Sequence, residues 1–289
     1  MSLLQNLNIR TLLKYIKDFP IFPGGILLIF IFLGIFGPYI VPYDPNEAFF
    51  ADTLTPPFWQ NGGTIKYLLG TDQLGRDVLS RIVCGTSISL QVGFVVVVFA
   101  GFIGSTIALI SGYLGGWKDM LLMRITDIMM SIPYLMIAVV LAAVLGPSKK
   151  SIILILTATG WTHYARVLRG EVLRIKKEGF ISLAMVAGCS KTRIMLWHIF
   201  PNMVNTLVVL ATLQLGTVII FEAILSFLGV GVPPPNPSWG LMVSEGRAYI
   251  SLAWWLCTLP GLAILLVVLS CNLFGDWLRV RLDPKFRQI

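Results

Sequence analysis

Six apolar runs, separated by short polar segments, organise the chain. A helix that crosses a bilayer needs about 20 predominantly apolar residues, and each run approaches that length. The runs are Ile21–Val41; Ser89–Gly112, which holds the unbroken string Phe94–Phe99; Met120–Leu145, most apolar beyond Asp127; a run that begins at Ser151 and continues as a polar helix near Arg166; Val204–Leu228; and Leu252–Phe274. The fourth is interrupted by Thr157, Thr159 and His163. The pattern predicts an all-α, polytopic membrane helix bundle of about six transmembrane helices. In the second run Ala100, Gly104, Ala108 and Gly112 recur every four residues. That spacing places them on one helix face as a ridge of small side chains. Such ridges let helix backbones approach closely in lipid.

Composition points the same way. Of 289 residues, 56% are hydrophobic and 12% charged. Soluble domains carry roughly 25% charged residues, so lipid is the natural surrounding. The net charge of +8 does not mark a nucleic-acid partner, because the basic residues are scattered over short segments between apolar runs. They instead orient the chain. Sixteen Lys and Arg fall on the side of the termini, including Arg10, Lys14, Lys17, Lys285 and Arg287, and six fall opposite. The positive-inside rule then places both termini in the cytoplasm. Ile21–Val41 exceeds the 7–15 apolar residues of a signal peptide and is expected to stay as an anchor, ended by Pro38 and the Tyr43-Asp44-Pro45 turn. Cys84, Cys189, Cys257 and Cys271 show no ligand-like spacing and read as small apolar residues.

Two units are expected: residues 1–87, a tail, the first helix and an outer segment, and residues 88–289, a five-helix core with an inner loop over 165–202. The outer segments Pro42–Gly85 and Gly229–Ser251 either contact an external partner or merely connect helices. The second contains Pro233-Pro234-Pro235, which favours a stiff extended path. The inner loop is the most informative stretch. Phe180, Leu183, Ala184 and Ala187 fall on one helical face, Gly188 is a suitable helix stop, and a second short helix spans about Ser190 to Ile199. Pro201 is expected to end it, since the residue before proline avoids the helical region. The result is a helix–Gly–helix hairpin whose apolar face must bury against lipid headgroups or against the groove of a cytoplasmic partner.

Here the residues resemble a known family. Permease subunits of bacterial ABC importers carry E-A-A-x-x-x-G, nine residues and then I-x-L-P. This chain reads Ser182-Leu183-Ala184-Met185-Val186-Ala187-Gly188 and later His198-Ile199-Phe200-Pro201-Asn202. The Gly188-to-Pro201 spacing is the family's, and His198, Pro201 and Asn202 look like its peptide-importer branch. Ser182 and Leu183 stand where the family has Glu and Ala. Leu69–Asp77, Leu225–Gly231, Pro237-Ser238-Trp239-Gly240 and Asn272-Leu273-Phe274-Gly275-Asp276 look like permeases for dipeptides, oligopeptides and nickel of the C-subunit type, so the likeness runs from about 21 to 286. The resemblance implies a multi-pass permease of the bacterial inner membrane. A homologous second permease, two ABC ATPase subunits and an extracytoplasmic solute-binding protein are the implied partners. It also implies a coupling loop built on Ala184, Gly188, His198, Pro201 and Asn202. ATP and Mg would be bound by the ATPases, with no cofactor on this chain.

No catalytic or metal site is expected. His163 and His198 lack metal-ligand spacing, and no Gly-x-Ser-x-Gly elbow occurs. Gly188-Cys189-Ser190-Lys191-Thr192 ends like a phosphate-binding loop but lacks the second glycine. Ionisable residues at membrane depth are costly and often functional. Arg124 and Asp127, three apart, share a helix face and read as a structural pair ahead of a solute contact. Glu222 either pairs helices or lines the translocation route. A self-sufficient secondary transporter or channel would show internal repeats and charged relays in several spans. No repeat is visible, and Asp127 and Glu222 are the only acidic residues within the predicted spans.

Overall fold

The computed structural model describes residues 20–282. Of the tail basic residues on which the orientation partly rests, Arg10, Lys14, Lys17, Lys285 and Arg287 lie outside that range. The described chain is helical, with a single β-bridge, Thr71 to Asp77, and no strand. In order it forms α1 (Ile21–Ile40), α2 (Val78–Leu114), α3 (Gly116–Ser131), α4 (Tyr134–Leu145), α5 (Lys149–Ile175), α6 (Gly179–Val186), α7 (Lys191–Phe227), α8 (Trp239–Gly246) and α9 (Trp255–Leu282).

Four helices, α1, α2, α7 and α9, are long and apolar enough to cross a membrane. The third predicted run is not one straight span. It breaks into α3 and α4, bent by 86°, and the pair makes a fifth span if counted together. The break sits at Ile132-Pro133, where Ile132 is extended (φ −90°, ψ 130°), the conformation that a following proline favours. The fourth predicted run forms a 27-residue helix, α5, that does not meet the same apolarity. Its inner side (Ile152, Ile155, Leu156, Tyr164, Leu168, Val172) is buried in protein, so α5 needs less lipid-compatible surface.

The core seam is α2 against α5. The small-residue ridge faces α5: Ala100 and Ala108 are buried, and a Cβ added at Gly104 or Gly112 would meet the Trp161 carbonyl oxygen at 2.6 Å or Val172 Cγ1 at 2.7 Å. The absence of side chains at these two glycines is what lets the backbones close. α1 packs on α2 in the same manner, with a Cβ at Gly37 falling 2.6 Å from Val83 Cγ1. Pro38 lies inside α1 rather than ending it, because a proline in the last turn forfeits a single ladder bond. α2 starts at Asp77, whose carboxylate accepts from Ser80 N and Oγ at 2.8 and 2.7 Å, an N-cap. It therefore runs unbroken through residues 87 and 88.

Candidate functional site

Charge and exposure concentrate in four places along this frame: the α6–α7 hairpin, an α3–α5 cavity, the buried Glu222, and a knot of ion pairs between the two long loops.

The hairpin is closed by a Schellman turn. Gly188 takes φ +77°; its N–H donates to Met185 O at 3.0 Å and Cys189 N–H to Ala184 O at 3.1 Å. Ser190 caps the next helix by accepting from Arg193 N at 3.3 Å. Ile181 and Ala184 point inward and join Leu168, Val172, Ile194, Ile199 and Met203 in one apolar cluster. This corrects the predicted face. Ala184 is buried, whereas Phe180, Leu183 and Ala187 lie outside, because Ile181 and Ala184, three apart, claim the core side. Leu183 is 71% exposed, Val186 88% and Trp197 75%.

Pro201 does not end the second helix either. Ile194–Ile199 is π-helical and leads directly into Phe200–Phe227, making one 37-residue rod. Phe200 N–H reaches back to Met195 O, a five-residue step that widens the turn in front of a proline ring, which would clash in a regular α-helix. Asn202 Nδ2 donates to the His198 carbonyl at 2.7 Å. His198 is half-buried; Pro201 and Asn202 are exposed. Lys176 Nζ donates to Tyr113 O at 2.7 Å, tying the base of the hairpin to the end of α2.

At the same end of the molecule a cavity of about 520 Å³ opens between α3 and α5, lined by Asp119, Met120, Met123, Arg124, Asp127, Arg166, Arg169 and Gly170. Asp127 pairs with Arg166 and Asp119 with Arg169 (2.5 Å). The predicted Arg124–Asp127 pair is thus replaced by a cross-helix pair: α5 packs beside α3 and brings a guanidinium onto Asp127. Arg124 shares the cavity but makes no ion pair among the described residues.

Glu222 lies fully buried. It accepts from Ser89 Oγ of α2 at 2.9 Å and from Ser226 Oγ at 2.8 Å. Its carboxyl joins α7 to α2. Ser226, four residues on, shares the helix face of Glu222, but sequence alone offered no sign of Ser89, 133 residues away.

At the opposite end from the hairpin, the two long loops are locked together. Asp72 accepts from Leu74 N and Arg76 N and pairs with Arg76 Nε at 2.6 Å. Arg76 and Arg81 both reach Glu245 of α8, at 3.0 and 3.2 Å. Trp239 Nε1 donates to Ile82 O and Trp255 Nε1 to Thr71 O. Nearby, Lys66 bonds Asp52 at 2.7 Å and holds that carboxyl below its usual range. Burial pushes the Asp77 carboxyl up, against the hydrogen bonds from Ser80 that pull it down.

Residues 104–288 match the family model of the binding-protein-dependent transport system inner membrane component. The chain belongs to that family. It is 45% identical over 262 residues to the dipeptide transport system permease protein DppC of Escherichia coli, covering 91% of this chain and 87% of the relative. It is 41% identical over 266 residues to the di/tripeptide permease protein DppC of Pseudomonas aeruginosa, covering 91% and 88%. A glutathione transport system permease protein, GsiD of Escherichia coli, is 40% identical over 261 residues, covering 90% and 84%. The fold resembles a chain of the inward-facing MetNI methionine ABC transporter, with TM-score 0.56, 20% identity and coverage of 70% of this chain and 96% of that one. The family member is a multi-pass inner-membrane permease component of an ABC transport system, and its relatives are permeases rather than enzymes.

Proposed function

We propose that this permease forms half of the translocation path of an ATP-driven importer of short peptides, and that the α6–α7 hairpin couples it to a cytoplasmic ATPase. The carrying observation is the split of the hairpin into two faces. Ile181 and Ala184 are fixed in the core, while Leu183, Val186, Leu196 and Trp197 stand exposed. A rigid base with an apolar outer ridge suits insertion into a partner's cleft, and a push on the ridge passes to α5 and α7 as a rigid-body displacement. ATP and Mg belong to that partner, and an extracytoplasmic binding protein delivers solute to the loop end, as the family's own description implies. A second homologous permease completes the path. The relatives named for dipeptide, di/tripeptide and glutathione transport favour peptides over nickel complexes as cargo. The excess of basic residues near the hairpin and tails supports a cytoplasmic side there, with both termini on it.

The test is Leu183→Asp with Val186→Asp. Both side chains are outside the core, so the variant keeps the wild-type unfolding midpoint in detergent, yet loses co-purification with the ATPase subunits. An undiminished ATPase yield refutes the coupling assignment.

A further inference from the structure

Helix α8 is pinned along one side and bare along the other. Trp239 and Glu245 reach toward α2 and the segment before it, to the Ile82 carbonyl and to Arg76 and Arg81. Gly240, Val243 and Arg247, spaced three and four apart, fall on a different stripe. Beside that stripe a groove of about 260 Å³ opens between α7, α8 and α9, lined by Ile220, Ile224, Phe227, Val243 and Ile264 around the small residues Ala223 and Gly240. A Cβ on Gly240 would fall 2.2 Å from the Ala223 carbonyl oxygen, so α8 lies directly on α7 there and the larger side chains rise around the contact. Both α7 and α9 are long and apolar enough to cross the membrane. Ile220 lies about 10 Å from the end of α7 and Ile264 about 14 Å from the start of α9, within the roughly 15 Å of hydrocarbon that one leaflet supplies. Trp254, exposed one residue before α9, stands where tryptophan favours the membrane–water boundary. At the same end the Arg247 guanidinium lies over the Phe227 ring, 5.3 Å from its centroid. A cation therefore stands at the mouth of an apolar groove. Arg247 is exposed, and its side chain makes no ion pair or hydrogen bond among the described residues.

We propose that the groove is a phospholipid site, seating one acyl chain between α7, α8 and α9 with the lipid's phosphate on Arg247. An apolar trough topped by a lone cation matches a molecule with an apolar chain below an anionic head. Contact with the Phe227 ring uses none of the guanidinium's N–H donors, which remain to fork onto phosphate oxygens. A partner helix, about 10–12 Å wide, is too thick to enter the groove, and an apolar helix face laid across it would leave Arg247 against hydrocarbon at large cost. Lipid seated here braces α8 from the side opposite Glu245.

The test irradiates the whole transporter in nanodiscs with phosphatidylglycerol carrying a diazirine on its acyl chain, at subsaturating amounts. Diacylglycerol with the same chain and no phosphate is the comparison probe, and cross-linked peptides are mapped by mass spectrometry. Leu28, Ile29 and Phe32, exposed on α1, report ordinary boundary lipid. The phosphatidylglycerol probe should label Ile220–Phe227 and Val243 above the level on α1. A basic residue beside an anionic headgroup changes affinity by about fivefold. Arg247→Gln should cut groove labelling by that factor while α1 labelling and the diacylglycerol signal hold, and Arg247→Lys should restore most of it. Val243→Phe should exclude both probes from the groove with the wild-type unfolding midpoint retained. Groove labelling equal to that on α1, or unaltered in both Arg247→Gln and Val243→Phe, overturns the site. Absence of groove labelling in the wild-type complex overturns it too, in favour of coverage by a neighbouring subunit.

Discussion

Gly104→Ala should destabilise the permease, even though alanine is the better helix former. A Cβ at Gly104 would lie 2.4 Å from Tyr164 Cβ, 2.6 Å from the Trp161 carbonyl oxygen and 3.0 Å from Ala165 N, whereas ordinary contact begins near 3.4 Å. The obstacles are backbone of α5 and a Cβ fixed to it, so no side-chain rotation relieves them. α5 must retreat by roughly 1 Å along this seam, and overpacking of that kind costs about 1–3 kcal/mol. The helix-propensity gain of about 1 kcal/mol from Gly to Ala offsets only part of it. Gly170→Ala, on α5 itself, is the control: nothing lies within 4 Å of a Cβ there, so it should be neutral or slightly stabilising. Equilibrium unfolding in mixed micelles compares the two. Equal stability of the two variants refutes the claim that close backbone approach holds α2 to α5. The consequence reaches function, because the cluster that seats Ile181 and Ala184 of the hairpin includes Ala100, Ala108, Leu168 and Val172 of this same seam.

Two further outcomes follow from buried charge. Glu245→Ala leaves Arg76 and Arg81, whose side chains are 5% and 1% exposed, short of a counter-charge and should cost about 3–5 kcal/mol, read as loss of folded protein after detergent extraction, with Glu245→Gln milder. Glu222→Gln puts an amide nitrogen in place of one of the two carboxyl oxygens that accept from Ser89 and Ser226. It should assemble with its partners after losing about 1–2 kcal/mol, while uptake falls; unchanged uptake would remove any role for this carboxyl beyond helix pairing.

Hydropathy located α1, α2, α7 and α9 because helices that meet lipid must be apolar around most of their circumference. It was weakest at α5, which buries its inner side in protein and carries Lys149 and Lys150 at its start and Arg166 and Arg169 in its second half. It also ran across the α3–α4 break, since an apolar window averages over Ile132-Pro133 although that pair is itself a legible stop. Gly188 was readable as a helix end because the left-handed turn leaves a chemical signature. The orientation of the hairpin was not, for a helix as short as Gly179–Val186 has too few positions to define a face by periodicity. Pro201 was misread for a related reason: a single widened turn lets the helix pass, and nothing local announces it. Asp127 shows the general limit. Along the chain its nearest cation is Arg124, yet its partner Arg166 arrives from another helix, 39 residues on.

The outer knot shows why scattered strings can nevertheless carry a fold. Leu69–Asp77 provides Asp72 and Arg76, and the helix that follows provides Arg81. Trp239, inside Pro237–Gly240, opens the helix that carries Glu245 to both arginines. Each string supplies what the other lacks: without Glu245 two buried arginines share Asp72 alone, and Trp239, wholly enclosed, finds its acceptor on Ile82. Asn272–Asp276 works the same way against α7. Asn272 Oδ1 lies 3.5 Å from where a Cβ at Gly216 would be, and a Cβ at Gly275 would meet Leu213 Cδ2 at 2.7 Å. Each string holds a residue whose burial, charge or missing side chain makes sense only against a distant segment. A chain matching several such strings in order therefore already implies their mutual contacts, which no single span of hydropathy can do.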